Sequence, residues 1–334
     1  MSEENVEIGA GHRPAALEAL VADRVRLFDV GARGGIDPRW GEFHPYLDVA
    51  GFEPDPDECD RLNRESDALP YPARFLPYAL GRDTQDGVTF YVANWPVASS
   101  IYPPNPEFLA PFGHAPRLLA VKEEREISTV TLDDVCADQG VTPDYLKLDV
   151  EGAEFDVLMG GESALRDTLM MEVEVEFGPL RVNQPLFAEI DAHLRERGWS
   201  LLGLRRLYWR REAGLDPSGS GYGGRLAQAD ALYCNDRVID GDLPLTKGLK
   251  LLVMLAAYRQ VDFVLDLLRD AGSFCRHLSP GERSELEAHL APRPGPMRRV
   301  AGRGLRRFDA MGRRAMADAL QPGEANVWQD PHFF

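Results

Sequence analysis

Three carboxylates stand where apolar runs end in turns, and their spacing points to chemistry on a nucleoside. Asp29 closes the buried run Val25–Val30 and is followed by glycines at 31, 34 and 35. Glycine lets the backbone turn sharply and admits a ligand against the main chain. An acid just before such a turn suits a cofactor with a positively charged amino end, such as the methionine portion of S-adenosylmethionine. Glu53 ends the next run, Leu47–Glu53, 22 residues beyond Gly31. A carboxylate there can accept two hydrogen bonds from a ribose diol. The third acid, Asp149, ends the run Tyr145–Val150. Asp29 could instead cap its own turn, and Glu53 could be a solvated strand end.

A dinucleotide fingerprint would read GxGxxG, but Arg33 replaces the second glycine, which weakens a nicotinamide reading. The segment Tyr145–Gly161 is more specific. It supplies Lys147, Asp149, Glu151, Gly152, Glu154, Leu158 and Gly160. This spacing resembles the signature of the FkbM family of methyltransferases. Thr131–Asp134, Asp29–Ala32, Phe52–Asp55 and Ser99–Ile101 extend the resemblance over about residues 25–235.

The resemblance implies a class I, Rossmann-like α/β fold with a seven-stranded sheet, its last strand antiparallel. S-adenosylmethionine would lie above the carboxyl ends of the strands, and the product would be an O-methyl group. Asp29, Gly31 and Gly35 would line the methionine end, and Glu53 would hold the ribose. Ala79 and Leu80 would lie near the adenine, with Asp149 facing the transferred methyl. Position 33 departs from the family's common Asn, and the guanidinium of Arg33 could bind a substrate phosphate or carboxylate.

An aliphatic hydroxyl acceptor needs a base within about 3 Å. The candidates are Asp149, Glu174, Glu176, His44 and His114, with Asp149 and Glu176 favoured. Alternation in Met171–Phe177 puts Glu172, Glu174 and Glu176 on one face, costly in a central strand unless functional or paired with arginines. Asp149 and nearby carboxylates could in principle hold Mg2+, but no resident metal is expected. The loop 94–117 combines Trp95, Tyr102, Phe108 and Phe112 with Ser99, Ser100 and Asn105. Such a mixture suits acceptor recognition beneath a lid, or a surface loop packed by its own aromatics.

The elements that must position these groups read as a βα series. A lead-in helix covers 14–24, a third strand Arg74–Leu80 follows the helix PDECDRLNRES, and half-exposed strands cover 87–92 and 126–132. Helices at 153–166 and 185–197 alternate with strands 169–177, 199–208 and 229–235, with a glycine-rich connection at 214–224. Helices alone follow at 245–271 and 280–290. The expected organisation is a lead-in segment 1–24, a methyltransferase domain 25–240 and a helical extension 241–334 with a basic tail.

The net charge of −17 argues against a nucleic-acid surface, which rests on clustered Lys and Arg. The tail is different: residues 291–334 hold 8 Arg and Lys against 4 Asp and Glu. The amphipathic stretch 297–316 could touch an anionic membrane or a carrier, or fold back on the acidic body. Four scattered cysteines form no metal-ligand pattern, and no run of about 20 apolar residues or signal-peptide pattern is present. A cytoplasmic protein with reduced thiols is expected, and self-association is left open. The leading expectation is O-methylation of a small-molecule or glycan acceptor, most of all a surface-glycan sugar. A polyketide or other secondary metabolite is the second choice, ahead of an oxidoreductase or a non-catalytic module.

Overall fold

A computed structural model describes residues 14–113, 115–211, 224–270, 274–291 and 327–329. His114, most of the glycine-rich connection and the basic stretch 297–316 lie outside the described residues. The strands are β1 Val25–Val30, β2 Leu47–Phe52, β3 Ala73–Leu76, β4 Ala79–Leu80, β5 Gln85–Ala93, β6 Val121–Val130, β7 Tyr145–Leu148, β8 Met170–Glu176, β9 Trp199–Trp209, β10 Arg225–Asn235 and β11 Val327–Gln329.

The main sheet runs β11-β9-β10-β8-β7-β1-β2-β3. Strands β3, β2, β1, β7 and β8 are mutually parallel, and β10 runs antiparallel to both β8 and β9. This is the expected seven-stranded sheet with its last strand reversed, extended by the short β11 at the β9 edge. The centre is apolar on both faces where β7 and β8 begin: Tyr145 and Met170 are buried in one core cluster, Leu146 and Met171 in another. Parallel strands need helical crossovers, and Pro56–Ser66, Leu132–Gln139 and Phe187–Glu196 are among the helices that follow strands here.

Three elements differ from the sequence reading. The run 74–80 is not one strand: β3 stops at Leu76, and β4 joins a second sheet of order β4-β6-β5. Pro77 has no N–H to continue the ladder. The helix read over 153–166 ends at Met159, before Gly160 and Gly161. A Cβ on Gly160 would lie 2.2 Å from the Gly81 carbonyl oxygen, so this signature glycine lets the helix end meet the chain leaving β4. The long helix read over 245–271 is two, Leu245–Ala257 and Val261–Arg269, turned at Arg259, whose φ is +55°.

The late helices share one core with the sheet. Leu249, Leu252 and Met254 pack with Leu17 and Leu20 of the lead-in helix Ala15–Ala22 and with Val25, Leu27 and Tyr145. A buried charge cluster pins this layer. Asp144 accepts from Lys247 Nζ, Lys250 Nζ (both 2.8 Å) and the Arg26 N–H. Burial alone would raise the Asp144 pKa, but Lys247 and Lys250 hold it below the usual value. The four cysteines are buried and free, as expected. No helix among the described residues is long and apolar enough to cross a membrane.

Candidate active site

The carboxyl ends of β1, β2 and β7 lie side by side, bringing Asp29, Glu53 and Asp149 to one rim. Gly31 leaves β1 at φ +86° and donates its N–H to the Phe52 carbonyl at 3.0 Å. A Cβ there would sit 1.8 Å from the Asp149 carbonyl oxygen, so only glycine fits where the ends of β1 and β7 converge. Gly34 is also left-handed (φ +88°), with no described atom within 4 Å of where a Cβ would sit. Gly35 faces Leu62 of the helix Pro56–Ser66.

Lys147 occupies the middle of the rim. Its Nζ lies 3.3 Å from Asp29 Oδ1 and 3.1 Å from Asp149 Oδ2. Burial opposes its charge, but Asp29, Asp149 and Glu172 together hold the lysine pKa well above its ordinary value. Burial raises the Asp29 pKa, against the pull of Lys147. Glu53 is buried, which raises its pKa too. Its Oε1 accepts the Asp55 N–H at 2.9 Å and lies 3.4 Å from Arg33 Nη1.

The acids on β8 are on one face as the alternation requires, but their surroundings differ. Glu172 is paired with Arg39 at 2.9 Å and titrates near about 7, pushed up by burial against that guanidinium. Glu174 accepts from Gln228 through Oε1, while Oε2 is buried with no hydrogen-bond partner among the described residues. Burial, then Asp149 and Glu151, push its pKa well up. Glu176 is 0% exposed, with Arg181 Nη1 3.7 Å away. Its carboxyl oxygens have no exposed surface in this arrangement. The reasoning that favoured Glu176 as base identified the face but not the depth.

Asp149, Glu151 and Glu174 each offer an oxygen within 4.8 Å of the others, a spacing that could hold a cation. Two of the three already have cationic partners, Lys147 for Asp149 and Arg181 for Glu151.

Several residues read as acceptor contacts have local partners instead. Arg33 spans Glu53 and Asp55, so its guanidinium already has two carboxylate partners. Ser99 Oγ accepts from the Ala93 N–H and donates to the Pro96 carbonyl. Buried Ser100 accepts from the Tyr102 N–H, and Asn105 caps the short helix Pro106–Leu109. Tyr102 donates to Asp156 at 2.6 Å and lines a hollow with Gly81, Arg82 and Thr129, whose lining includes neither Asp29 nor Asp149. Ala79 is half-buried in β4, and the side chain of Leu80 points into the core with Val135 and Leu158. His44 contacts the Gly41 carbonyl within its own turn.

The loop 94–113 has a core of its own, with Ala98, Leu109 and Phe112 packed on Leu180 and Trp209. Arg181, which carried no signal in the sequence, ties this loop to the rim. Its Nη2 donates to the Ala98 carbonyl and to Glu151, which itself sits at φ +61°. Lys147 was legible within the signature, but its role as a bridge appears only once β1 and β7 are paired.

A family profile described as the methyltransferase FkbM domain matches residues 29–201. The chain is similar to the 2-O-methyltransferase NoeI of Sinorhizobium fredii, 29% identical over 177 residues, which span 49% of this chain and 69% of that protein. It is also similar to the hexuronic acid methyltransferase AglP of Haloferax volcanii, 29% identical over 39% of this chain and 48% of that one. Among solved structures, it is similar to magnesium protoporphyrin IX methyltransferase from Synechocystis PCC 6803, at 11% identity over 69% of this chain and 88% of that one. The TM-score of 0.31 is too low for that likeness to support an argument. With Lys147 and Asp149 of the signature beside Asp29 on one rim and the profile covering more than half of its length, the chain belongs to the FkbM family of S-adenosylmethionine-dependent methyltransferases.

Proposed function

We propose that the protein transfers a methyl group from S-adenosylmethionine to a hydroxyl of a sugar in a glycan or glycoconjugate. The observation that carries this reading is the rim of Asp29, Glu53 and Asp149 around the Gly31 turn. The rim suits the donor: an acid for its ammonium, a second for the ribose diol, and a turn at Gly31 and Gly34 free of side chains. S-adenosylmethionine supplies, when bound, a methyl group already activated on a sulfonium.

The chain's own work is to align and to deprotonate. Asp29 accepts from the donor ammonium, and Glu53 uses only Oε1 for Asp55 and Arg33, which leaves Oε2 for ribose hydroxyls. Fixing an acceptor at near-attack distance is worth about 7–11 kcal/mol. Asp149 and Glu174, close together at the end of β7 and on β8, take the hydroxyl proton as a coupled pair. Lys147 remains a fixed cation beside them and favours the acceptor oxygen as it becomes negative. The relatives' names, a 2-O-methyltransferase and a hexuronic acid methyltransferase, support oxygen as the atom and a sugar as the carrier.

The test begins with calorimetry of S-adenosylmethionine against NAD. The donor should bind and NAD should not, and the reverse would refute the reading. Incubation with a glycoside panel and mass spectrometry should then show one added methyl on oxygen. Methyl found on nitrogen would refute the acceptor half.

A further inference from the structure

One face of the main sheet is apolar below and charged above. Leu27, Tyr145, Met170 and Cys234 lie in register and are buried in the same core as the helices after residue 240. One step towards the carboxyl ends, Asp29 pairs in register with Lys147, and Lys147 with Glu172. In the next row Glu174 stands beside Asp230 of β10, and Asp230 beside Arg205 of β9.

This upper half is left partly open among the described residues. Side-chain exposure is 38% for Asp149, 30% for Arg205, 20% for Asp230 and 18% for Lys147. At Gly203, in register with Leu232, an added Cβ would meet no described atom within 4 Å. Within this half-open row the buried Glu174 Oε2 has no hydrogen-bond partner among the described residues, which is costly. A ligand rich in hydroxyl donors would relieve it.

The charges say which ligand. Lys147 is held by Asp29 and Asp149, Arg39 by Asp37 and Glu172, and Arg205 by Asp230. Each of these cations is therefore already matched by a carboxylate, and Glu174 is left over. A hydroxyl can donate into this surface, whereas an acidic group would find each of these cations, among the described residues, already held by a carboxylate.

We infer that the face formed by Glu174, Asp230 and Arg205 beside Asp149 is the acceptor subsite, and that it takes a sugar ring without an acidic group. The inference rests on the proposed sugar O-methylation and adds the acceptor's charge class. The pair Arg205–Asp230 determines that specificity: the aspartate keeps the guanidinium from binding a carboxylate bidentately.

The experiment uses the full chain loaded with S-adenosylhomocysteine. Binding of a methyl hexoside and of the methyl hexuronoside of the same configuration is followed by ligand-observed NMR near neutral pH and about 0.1 M salt. The neutral ring should bind at least about tenfold more tightly. Asp230→Asn should free Arg205 and improve hexuronoside binding about tenfold, whereas Arg205→Gln should weaken it further, both with S-adenosylhomocysteine affinity retained. Equal or tighter hexuronoside binding by the wild type overturns the inference while leaving sugar methylation standing. It is overturned in the same way if the two variants move hexuronoside binding in the same direction. If neither glycoside binds although the cofactor product does, the sugar reading itself fails, and the inference with it.

Discussion

Replacing Glu176 by Gln tests the burial argument and the assignment of the base together. In the folded protein this carboxyl has no exposed surface, and burial raises its pKa to about 7 against the pull of Arg181. In the unfolded chain it titrates near the ordinary 4.5. Between those values the folded state keeps a proton that the unfolded chain has released. The stability this group contributes is therefore full below about pH 4.5 and is lost as pH rises through about 7. At 1.36 kcal/mol per pH unit, the loss is at most about 3.4 kcal/mol. Gln has no proton to lose, and Arg181 keeps Glu151 and the Ala98 carbonyl as partners. Urea unfolding of both proteins at several pH values between about 5 and 8 should show the variant gaining about 1–3 kcal/mol on the wild type across that range. Glu172 titrates near about 7 as well, so both proteins retain some pH dependence, and their difference isolates Glu176. Turnover should stay within about threefold of wild type, far from the loss of about 10²–10⁴ expected for a missing base. A pH-independent difference in stability would refute the burial argument. A turnover loss on that larger scale, with S-adenosylhomocysteine affinity intact, would make Glu176 the base.

Gly31→Ala places a Cβ against the Asp149 carbonyl at φ +86° and should abolish donor binding measured by calorimetry; wild-type affinity would show that the ends of β1 and β7 separate freely. Asp149→Asn should lower turnover by about 10²–10⁴ in a methyl-transfer assay with donor affinity largely kept, and near-normal turnover would remove it from the proton-accepting pair. Lys250→Met breaks a buried contact with Asp144 and should cost about 3–5 kcal/mol in urea unfolding, reduced where Lys247 still covers the charge; a loss under about 0.5 kcal/mol would show that the cluster does not pin the helical layer. EDTA should leave turnover unchanged, because Lys147 and Arg181 already neutralise Asp149 and Glu151, and restoration by Mg2+ after a loss would reveal a working metal.

The amino-acid sequence by itself determined which acids end the central strands and where the first turn needs glycine. Apolar runs ending in Asp29, Glu53 and Asp149, with glycine at 31, are local patterns, because each depends on one strand and the turn that follows it. The signature around Lys147–Gly160 named the family for the same reason. Only the tertiary structure decided how deep each acid lies and which cation it meets. Glu172, Glu174 and Glu176 alternate identically in the sequence, yet one is held by Arg39, one is left partly unsatisfied and one is sealed against Arg181. Those partners come from 133 residues before Glu172 and from the segment just beyond β8, distances that periodicity does not encode. Ser99, Ser100 and Asn105 show the same limit from the other side. Their side chains suit a substrate, but turns and caps within the loop claim them first. The acceptor face exists only where β8, β10 and β9 are brought into register, since pairing across strands puts Glu174, Asp230 and Arg205 side by side from three separate parts of the chain.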